Sequence, residues 1–380
     1  MLLNQLFPHK VCINLDRRPG RWQRMQAEFA RHEIASVRRF AAIDGNAVVL
    51  PATWKHTAGA YGCLLSHVQV IEEARRLGHE SVVIFEDDAV FDPEFKIKFA
   101  SFSEEVPLDW DLLYFGALHK DEPVAVTEHV SRITKANSTF AYALKRTVFD
   151  AFIELNAPAD HVLDMNAYLL QERFNCYCFM PNLAWVQSEY SDVQNRLERH
   201  WYLEKSLVLF GSRVDRLLSQ TAIVIVHHGS ANENLEFLKR YFSEYFTDTE
   251  IVVAESFSTG ISKADSKTQF FVLSDSDLYL ETLDIRANLL MCEQYEGATG
   301  FSHVIDLTSE QARLLRETGI TRGIDVSKST PAKNVASQCR FIRRDAVADN
   351  AFDREALNFG REASKRLFQS PNHALRLPSS

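Results

Sequence analysis

The sequence predicts an α/β protein with a mostly parallel sheet flanked by helices, followed by a second, smaller α/β domain. Short apolar runs rich in β-branched residues alternate with stretches of apolar residues at helical spacing, a pattern typical of parallel α/β sheets. The pattern occurs twice, and a length of 380 residues favours two domains over one. We expect a first domain over residues 1–215, a second over 221–365 and a tail over 366–380.

Strands and helices alternate in the first repetition of the pattern. The predicted elements are a strand over 11–15, a helix with Trp22, Met25 and Phe29 on one face, a helix over 66–77, and strands over 81–85 and 112–115. The helix over 66–77 is expected to begin at Ser66 and to end at Gly78. The run 81–85 is continuously apolar, as in a strand buried on both faces, and three carboxylates follow it directly.

The second repetition follows a charged, helix-prone segment over 189–220, near whose end we place the domain boundary. Its predicted elements are a strand over 222–226, a helix with Leu235, Leu238, Phe242 and Tyr245 on one side, and strands over 251–254 and 270–273. Two acids, Asp275 and Asp277, follow the last strand. The neighbours His227 and His228 would point to opposite faces of a strand, so we do not expect them to bind one metal together.

Charge and cysteine content exclude several classes of protein. Lys plus Arg number 42 and Asp plus Glu number 51, giving a formal net charge of −9, so we do not expect nucleic acid as a partner. The six cysteines are scattered and contain no C-x-x-C, which favours free thiols in a reducing compartment. No apolar run reaches the roughly 18 residues of a membrane span. We expect a cytoplasmic protein, and association with the cytoplasmic face of an inner membrane stays open.

The acidic segment Glu86, Asp87 and Asp88 is the most informative feature of the chain. Adjacent carboxylates at the end of a buried strand are costly unless positive charge neutralises them. Ligands of open α/β sheets bind beyond the carboxyl ends of strands, and hard divalent cations take carboxylate and phosphate oxygens. Because alternate residues of an extended segment point the same way, Glu86 and Asp88 are predicted to converge on a cation while Asp87 faces elsewhere. A solvated acidic turn is the alternative.

The sequence lacks the motifs of other phosphate-binding and hydrolytic enzymes. The chain contains no G-x-x-x-x-G-K-[ST], no G-x-G-x-x-G after its first strand, no H-E-x-x-H and no G-x-S-x-G. What remains is chemistry on a phosphate-linked donor without a glycine cradle, in which arginine and metal neutralise the charge.

A set of sequence blocks, in order over residues 10–200, carries a more specific signal. The blocks are 11–22 (VCINLDRRPGRW), 42–45 (AIDG), 59–67 (GAYGCLLSH), 84–88 (IFEDD), 110–116 (WDLLYFG), 139–142 (TFAY), Asp164, Pro181, Gln187, and Ser191 with Asp192. Together they resemble glycosyltransferase family 25, the group that contains lipo-oligosaccharide galactosyltransferases and the collagen galactosyltransferase domain. One position departs from the family pattern, because many relatives have Glu where this chain has Ala60.

The resemblance implies a GT-A fold, a nucleotide-sugar donor such as a UDP-sugar, a divalent metal with manganese as first choice, and inversion at the anomeric carbon. Glu86 and Asp88 are then the expected metal ligands, and Asp164 is the candidate general base. The candidate donor-site residues are Asn14, Arg17, Arg21, Asp44, Ser66, His67 and Asp87, and Gln187 and Ser191 are weaker candidates for framing the substrate.

Each of these roles has an alternative. Arg17 and Arg21 are expected to make bidentate phosphate contacts or else to be solvated surface arginines. Ser66 and His67 are expected at a helix N-terminus, where Ser66 could bind an anion or serve as the N-cap and His67 could be structural. For Asp164, a third metal ligand and a helix cap stay open.

The resulting hypothesis is a metal-dependent glycosyltransferase that transfers a hexose, galactose from UDP-galactose in first place, to a saccharide or lipid-linked saccharide such as growing lipo-oligosaccharide. A non-catalytic glycan- or nucleotide-binding protein is the main alternative and Ala60 favours it, whereas metal-dependent phosphohydrolysis is a weaker one. Asp275 and Asp277 resemble the DxD of GT-A folds, including family 2-like enzymes. The second domain is therefore expected to be an active second transferase, a degenerate domain or an unrelated α/β domain.

Overall fold

The computed structural model describes residues 3–194, 196–198, 200–299, 303–318, 330–331, 340–348, 352–353, 358–359, 367–368 and 373–376. The chain divides into two compact units, Met1–Val208 and Leu209–Ser380. None of the helices formed by the described residues is both long and apolar enough to cross a membrane. Cys12, Cys63, Cys176, Cys178 and Cys292 are free thiols, and Cys339 lies outside the described residues.

The first unit contains seven α-helices and fourteen strands among its described residues. The helices are α1 Leu3–Leu6, α2 Pro19–Arg31, α3 Ala58–Arg76, α4 Phe95–Phe102, α5 Arg146–Asn156, α6 Leu163–Arg173 and α7 Trp201–Glu204. The strands are β1 Lys10–Asn14, β2 Val37–Ala41, β3 Ser81–Glu86, β4 Ala89–Phe91, β5 Leu112–Tyr114, β6 Leu118–His119, β7 Val124–Ala125, β8 Val130–Arg132, β9 Ala136–Asn137, β10 Ala141–Lys145, β11 Cys176–Phe179, β12 Ala184–Val186, β13 Tyr190–Ser191 and β14 Arg196–Leu197.

The main sheet of this unit has eight strands in the order β2-β1-β3-β10-β5-β11-β8-β7. Neighbours β2, β1 and β3 are parallel, as are β5 and β11, whereas β10 and β8 run against the strands on either side. Six of the eight strands thus run in the same direction with helices around the sheet, and the predicted α/β class is confirmed.

Strand β3 lies at the centre of this sheet because both of its faces are apolar. Val82 and Ile84 belong to the core cluster that contains residues of α3 and α5. On the other side, the Phe85 ring packs against Phe91 and Phe115, with centroid distances of 5.5 and 6.1 Å. The strand prediction for 81–85 is confirmed, and the transition from this apolar run to three carboxylates occurs at the carboxyl edge of the sheet.

Helix α3 differs from its prediction, because it begins at Ala58 and not at Ser66. Its N-cap is Thr57, whose Oγ1 accepts a hydrogen bond from the backbone N–H of Ala60 at 3.1 Å. Gly62 fits inside the helix because its face lies against the backbone of Ile43 and Gly45, where a Cβ atom would approach the Gly45 nitrogen to 2.6 Å. The expectation that Ser66 opens a helix is therefore wrong.

The second unit contains six α-helices and twelve strands among its described residues. The helices are α8 Ser212–Ser219, α9 Glu233–Tyr245, α10 Phe257–Lys263, α11 Thr282–Met291, α12 Ser309–Thr318 and α13 Arg344–Ala348. The strands are β15 Thr221–Val226, β16 Glu250–Ala254, β17 Phe270–Asp275, β18 Leu278–Tyr279, β19 Gly297–Ala298, β20 His303–Asp306, β21 Thr330–Pro331, β22 Phe341–Arg343, β23 Phe352–Asp353, β24 Asn358–Phe359, β25 Leu367–Phe368 and β26 His373–Arg376.

The six-stranded sheet of the second unit has the order β16-β15-β17-β22-β19-β25. Strands β16, β15 and β17 are parallel, β22 is antiparallel to both of its neighbours, and β19 and β25 are parallel. The run β2-β1-β3-β10-β5-β11 of the first unit has the same chain order and the same directions. Each unit therefore has the same six-stranded topology. In both, the fifth of these strands along the chain, β10 or β22, is antiparallel to its two neighbours.

Three sequence expectations for the second half differ from the structure. The segment over 189–220 was expected to be helix-prone, but β13 and β14 form a hairpin in it and only α7 and α8 are helical. Tyr245, expected on the buried side of α9, is 50% exposed. The tail expected over 366–380 includes β26, which pairs with β18 and β20; most of its other residues, including 377–380, lie outside the described residues.

Candidate active site

The acidic segment forms a tight turn at the carboxyl edge of the main sheet. Glu86 ends β3, Asp87 and Asp88 form the turn, and β4 begins at the next residue. Two backbone hydrogen bonds hold it, from Glu86 N to Phe140 O at 2.8 Å and from Gln187 N to Asp88 O at 2.9 Å. Gln187 thus contributes its backbone N–H to the position of the turn.

Asp87 is buried and directed at two protein donors. Its Oδ2 accepts from Asn14 Nδ2 at 2.6 Å, and its Oδ1 accepts from Arg21 Nη1 at 3.0 Å. The side-chain oxygen of Asn14 in turn accepts from Arg39 Nε at 2.8 Å. Asn14 and Asp87 therefore satisfy each other and fix the turn against the end of β1.

Asp88 has the opposite environment. Its Oδ2 lies 3.4 Å from Arg21 Nη1, whereas its buried Oδ1 has no hydrogen-bond partner among the described residues. Burial first, and then the charges of Glu86, Asp87 and Glu189, raise the pKa of Asp88 to about 8, against the lowering effect of Arg21. A buried carboxylate oxygen without a hydrogen-bond partner is a costly arrangement that a bound cation would relieve.

Arg21 is the cation at the centre of this acidic turn, and its side chain is only 10% exposed. Besides Asp87 and Asp88, it contacts Glu189 Oε1 through Nε at 3.1 Å and donates from Nη2 to Tyr190 O at 2.6 Å. Arg21 thus contacts three carboxylates, of which Glu189 is also paired with Arg24 at 2.7 Å. Because these protein groups already occupy the guanidinium, its geometry does not resemble that of a free phosphate-binding fork.

Glu86 points toward helix α3 and β10. Its Oε1 accepts from Thr139 Oγ1 at 2.9 Å and lies 3.4 Å from His67 Nε2. Burial would raise the pKa of Glu86, but the neighbouring His67 and Thr139 outweigh it and lower the pKa. The two expected metal ligands are therefore held differently, because Glu86 accepts from Thr139, whereas Asp88 accepts from Arg21 through Oδ2 alone and its Oδ1 has no partner among the described residues.

His67 is fully buried, and its Nδ1 is hydrogen-bonded to the Tyr142 hydroxyl at 2.8 Å. Cys63 lies one turn earlier on α3, and its Sγ, His67 Nε2 and a Glu86 oxygen all lie within 4.8 Å of one another. Sequence reasoning gave Cys63 no functional role. The i, i+4 spacing of Cys63 and His67, which places both on one face of a helix, is the signal that could have identified this pair.

Ser66 lies in the middle of α3, so the N-terminal anion site expected there is wrong. Its hydroxyl donates to Gly62 O at 2.6 Å and accepts from Ile43 N at 2.9 Å. Ser66 consequently ties the helix to the segment before Asp44, and both hydrogen-bonding functions of its hydroxyl are in use.

Asp164 lies in the first turn of α6, where the N-cap position belongs to Val162. Its Oδ1 accepts from Ser138 N at 3.0 Å. Burial first, and the charge of Glu86 as well, raise the pKa of Asp164 against the lowering effect of this hydrogen bond. A carboxylate with a raised pKa is a better proton acceptor at neutral pH than an exposed one.

A second charged network forms a more exposed rim. Arg17 Nε donates to Asp44 Oδ2 at 2.8 Å and its Nη1 to Asp192 Oδ1 at 2.7 Å. Arg18 makes a bidentate pair with Asp192, both contacts at 2.8 Å. Burial would raise the pKa of Asp192, but the two arginines outweigh it and lower the pKa. The Arg17 side chain is 41% exposed, so it keeps a face open to solvent.

Ala60, the departure from the family pattern, lies in an apolar cluster. Trp54, Leu64 and Ala159 are the other buried members of this cluster, and Tyr61 packs against it. A carboxylate at this position would be in apolar surroundings, and the chain has none there.

Comparison with known proteins confirms the resemblance for the first unit. Residues 7–173 match the family described as Glycosyltransferase family 25 (LPS biosynthesis protein). Procollagen galactosyltransferase 2 of Mus musculus is 30% identical over 156 residues, which is 35% of this chain and 25% of the relative. The inactive glycosyltransferase 25 family member 3 of Homo sapiens is 32% identical over 163 residues, 37% of this chain and 27% of the relative.

The match is partial for every one of these relatives. A glycosyltransferase 25 family member of Aedes aegypti is 29% identical over 201 residues, 47% of this chain and 32% of the relative. The chain thus spans about a quarter to a third of the length of these curated relatives. A solved glycosyltransferase involved in glycosylation of the major capsid of PBCV-1 shares 9% identity over 40% of this chain and 66% of its own, with a TM-score of 0.26, too low to carry an argument.

Proposed function

We propose that this protein is a metal-dependent, inverting glycosyltransferase that transfers a hexose from a nucleotide sugar to a saccharide acceptor. The observation that carries the proposal is the buried Oδ1 of Asp88, which has no hydrogen-bond partner among the described residues, in a turn of three consecutive carboxylates of which two share Arg21. The family match over residues 7–173 supports the reaction class. The donor we favour is UDP-galactose, and the acceptor a growing lipo-oligosaccharide or another surface glycan.

The residues of the turn fit a divalent cation, with manganese as our first choice. Asp88 would hold it, assisted by Glu86, since carboxylate oxygens are the ligands that hard cations take. A bound cation supplies neutralisation of the charge that develops on the departing diphosphate. Arg21 then has a structural task, because it keeps Asp87 and Asp88 in the turn while leaving one oxygen of Asp88 open.

The remaining residues have roles around the acceptor and the donor. In a single displacement the acceptor oxygen forms a bond to the anomeric carbon, the bond to the diphosphate oxygen breaks, and the acceptor proton goes to a general base. Asp164 is the base that we propose, because burial raises its pKa and Ser138 N–H fixes one of its oxygens. The exposed face of Arg17, held by Asp44 and Asp192, is available for the donor.

The test is transfer by the full-length protein across UDP-, GDP- and CMP-sugars, with manganese and with a chelator. We expect transfer to require the metal and Asp88→Asn to reduce it at least about 100-fold, the scale of losing one charge-stabilising group. Asp150→Asn is the matched control, because Asp150 is an exposed carboxylate paired with Arg75 and should leave transfer unchanged. Full transfer by Asp88→Asn would overturn the metal assignment.

A non-catalytic glycan- or nucleotide-binding protein is the second candidate, and two observations favour it. Ala60 replaces the family carboxylate inside an apolar cluster, and one similar human protein is named an inactive family member. Release of UDP from UDP-sugars separates the candidates, since a transferase turns over the donor whereas a binding protein only retains it. Tight UDP binding with no release in the presence of acceptors and manganese would favour this second function.

For residues 221–365 we propose a degenerate GT-A-like domain that does not transfer sugar. Asp275 ends β17 as Glu86 ends β3, and the register places Val226 opposite Asp275 as it places Ile13 opposite Glu86. In this unit the guanidinium of Arg340, itself only 6% exposed, lies 2.9 Å from Asp275 Oδ2. An internal cation thus occupies one acid of the pair that a metal would need.

The residue that corresponds to Asn14 also differs in the second unit, and it too is held by internal partners. His227 follows β15 as Asn14 ends β1, and its Nδ1 bonds Ser276 Oγ at 2.9 Å while Nε2 bonds Ser230 O at 2.8 Å. Both ring nitrogens are in use, which supports a structural role. We expect Asp277→Asn in the full chain to retain transfer within about twofold; a loss equal to that of Asp88→Asn would contradict the proposal.

A further inference from the structure

Cys63 and His67, which have no role in the proposed transfer, form a cluster of ligand atoms with Glu86, the residue proposed above to assist Asp88. Cys63 and His67 lie one turn apart on α3, Glu86 ends β3, and the three ligand atoms lie within 4.8 Å of one another. Glu86 Oε1 and His67 Nε2 are 3.4 Å apart. Ligand atoms around a tetrahedral zinc ion lie about 3.3–3.7 Å apart, given bonds of about 2.3 Å to sulfur and 2.0–2.2 Å to nitrogen or oxygen. A small movement of the Cys63 side chain would close the cluster on an ion.

A second, independent observation points to a ligand at this place. His67 is fully buried, and its Nε2, which faces the cluster, has no hydrogen-bond partner among the described residues. Its other nitrogen is held by the Tyr142 hydroxyl at 2.8 Å. This is the arrangement of a metal-binding histidine, whose second nitrogen is oriented by an outer hydrogen bond while the first faces the metal.

The other two ligands are also prepared for an ion. Thr139 Oγ1 donates to Glu86 Oε1 at 2.9 Å and so orients the carboxylate. Cys63 is only partly buried and the Glu86 side chain is 23% exposed, which leaves a path for an ion to enter. A set of sulfur, imidazole and carboxylate suits zinc-class ions, whereas manganese and magnesium prefer oxygen ligands throughout.

We propose that Cys63, His67 and Glu86 bind one thiophilic divalent ion of the zinc class, with three protein ligands and an open fourth position. The ion would tie α3 to the end of β3, so its binding should stabilise the folded protein. Thiol binding releases the proton of Cys63 to solvent and forms a metal–sulfur bond, without oxidation or reduction. The proposal concerns binding alone and does not require that the protein transfer sugar.

The test is titration of the reduced, metal-free, full-length protein with cobalt(II), which reports thiolate ligation by a near-ultraviolet charge-transfer band. We expect one thiolate-bound cobalt per chain, displacement of that cobalt by zinc, and a rise in the thermal midpoint with either ion. Cys63→Ser should abolish the band and weaken zinc binding by more than about 100-fold, whereas Tyr142→Phe should weaken it about 10-fold, as expected for an outer partner.

Cys178→Ala is the matched control. Cys178 is also a buried thiol next to an imidazole, with its Sγ 3.7 Å from His119 Nε2. Among the described residues, this pair has no third His, Cys, Asp or Glu close enough to complete a metal-binding group. The band should persist in Cys178→Ala. Zinc-edge X-ray absorption on the wild-type protein gives a readout independent of any variant and should show one sulfur donor. Absence of binding, a band that survives Cys63→Ser, or zinc without sulfur ligation would each overturn the proposal.

Discussion

Arg21 contacts Asp87, Asp88 and Glu189 from a nearly buried position at the carboxyl edge of the sheet. The sequence predicted that positive charge must neutralise this turn, but it named Arg21 only as a donor-phosphate residue or a solvated surface arginine. The partners of Arg21 could not be predicted, because one of them is Glu189, which is distant along the chain and belongs to a segment expected to be helix-prone. No pattern within residues 11–22 could reveal that contact.

Removal of this guanidinium should destabilise the fold. Arg21→Gln leaves three carboxylates around an uncharged group, and breaking a buried ion pair in this way costs about 3–5 kcal/mol. We expect a loss of that size in urea unfolding, with partial recovery in the double variant Arg21→Gln/Asp88→Asn because one repelling charge is gone. Arg24→Gln is the control, since Arg24 pairs with the same Glu189 but is 45% exposed, and it should change stability by less than about 1 kcal/mol. Equal losses in both single variants would contradict this account.

His119 gives the clearest pH dependence. Burial lowers its pKa to about 4, below the ordinary value of 6.5. A histidine with a lowered pKa stabilises the fold above its unfolded pKa, and this contribution is lost as pH falls from about 6.5 toward 4, because only the unfolded chain takes up the proton. We expect about 2 kcal/mol of stability to be lost between pH 7 and pH 5.

Urea unfolding at several pH values measures this dependence. The variant His119→Gln lacks the titrating imidazole, so the same series on it gives the pH dependence that arises from all other groups. The difference between the two series is the contribution of His119. The wild-type protein should lose more stability on acidification than the variant does. Identical pH profiles for the two proteins would show that His119 is not neutral and buried as described.

At the scale of elements, the strands were predictable and the start of α3 was not. The runs at 81–85 and 222–226 are continuously apolar because both faces of each strand are covered, and such runs stand out in a sequence. The N-terminal turns of α3 contain Gly59 and Gly62, which ordinarily interrupt helices. They are glycines here because distant backbone approaches too closely for a side chain, that of Asp192 at Gly59 and of Gly45 at Gly62.

Substitution at Gly62 tests this explanation. Gly62→Ala improves intrinsic helix propensity, but the new Cβ would meet the backbone of Ile43 and Gly45, which cannot move aside as a flexible side chain could. We expect a loss of about 2–3 kcal/mol in the free energy of unfolding from overpacking. Gly20→Ala is the control in α2, where a Cβ meets nothing within 4 Å, and it should be neutral or stabilise by up to about 1 kcal/mol. A stabilising Gly62→Ala would contradict the close approach.

At the scale of the whole molecule, the sequence predicted two α/β repetitions but not that they share one topology. The antiparallel strands β10 and β22 each insert between strands that precede them in the chain. Their positions follow from long-range pairing and leave no trace in local periodicity. The repeated topology also explains why Asp275 resembles Glu86 in the sequence, while the contact with Arg340 makes the two sites chemically different.

The proposed function requires a cation at the turn after β3 and none at the corresponding turn after β17. The most direct measurement is an anomalous-difference map at the manganese edge from crystals of the full-length protein grown with manganese and UDP. We expect a peak at bonding distance from Asp88, with the nucleotide diphosphate on its other side. A peak beside Asp275 and Asp277 with none at Asp88, or a well-ordered UDP with no manganese at the turn, would contradict the proposed function.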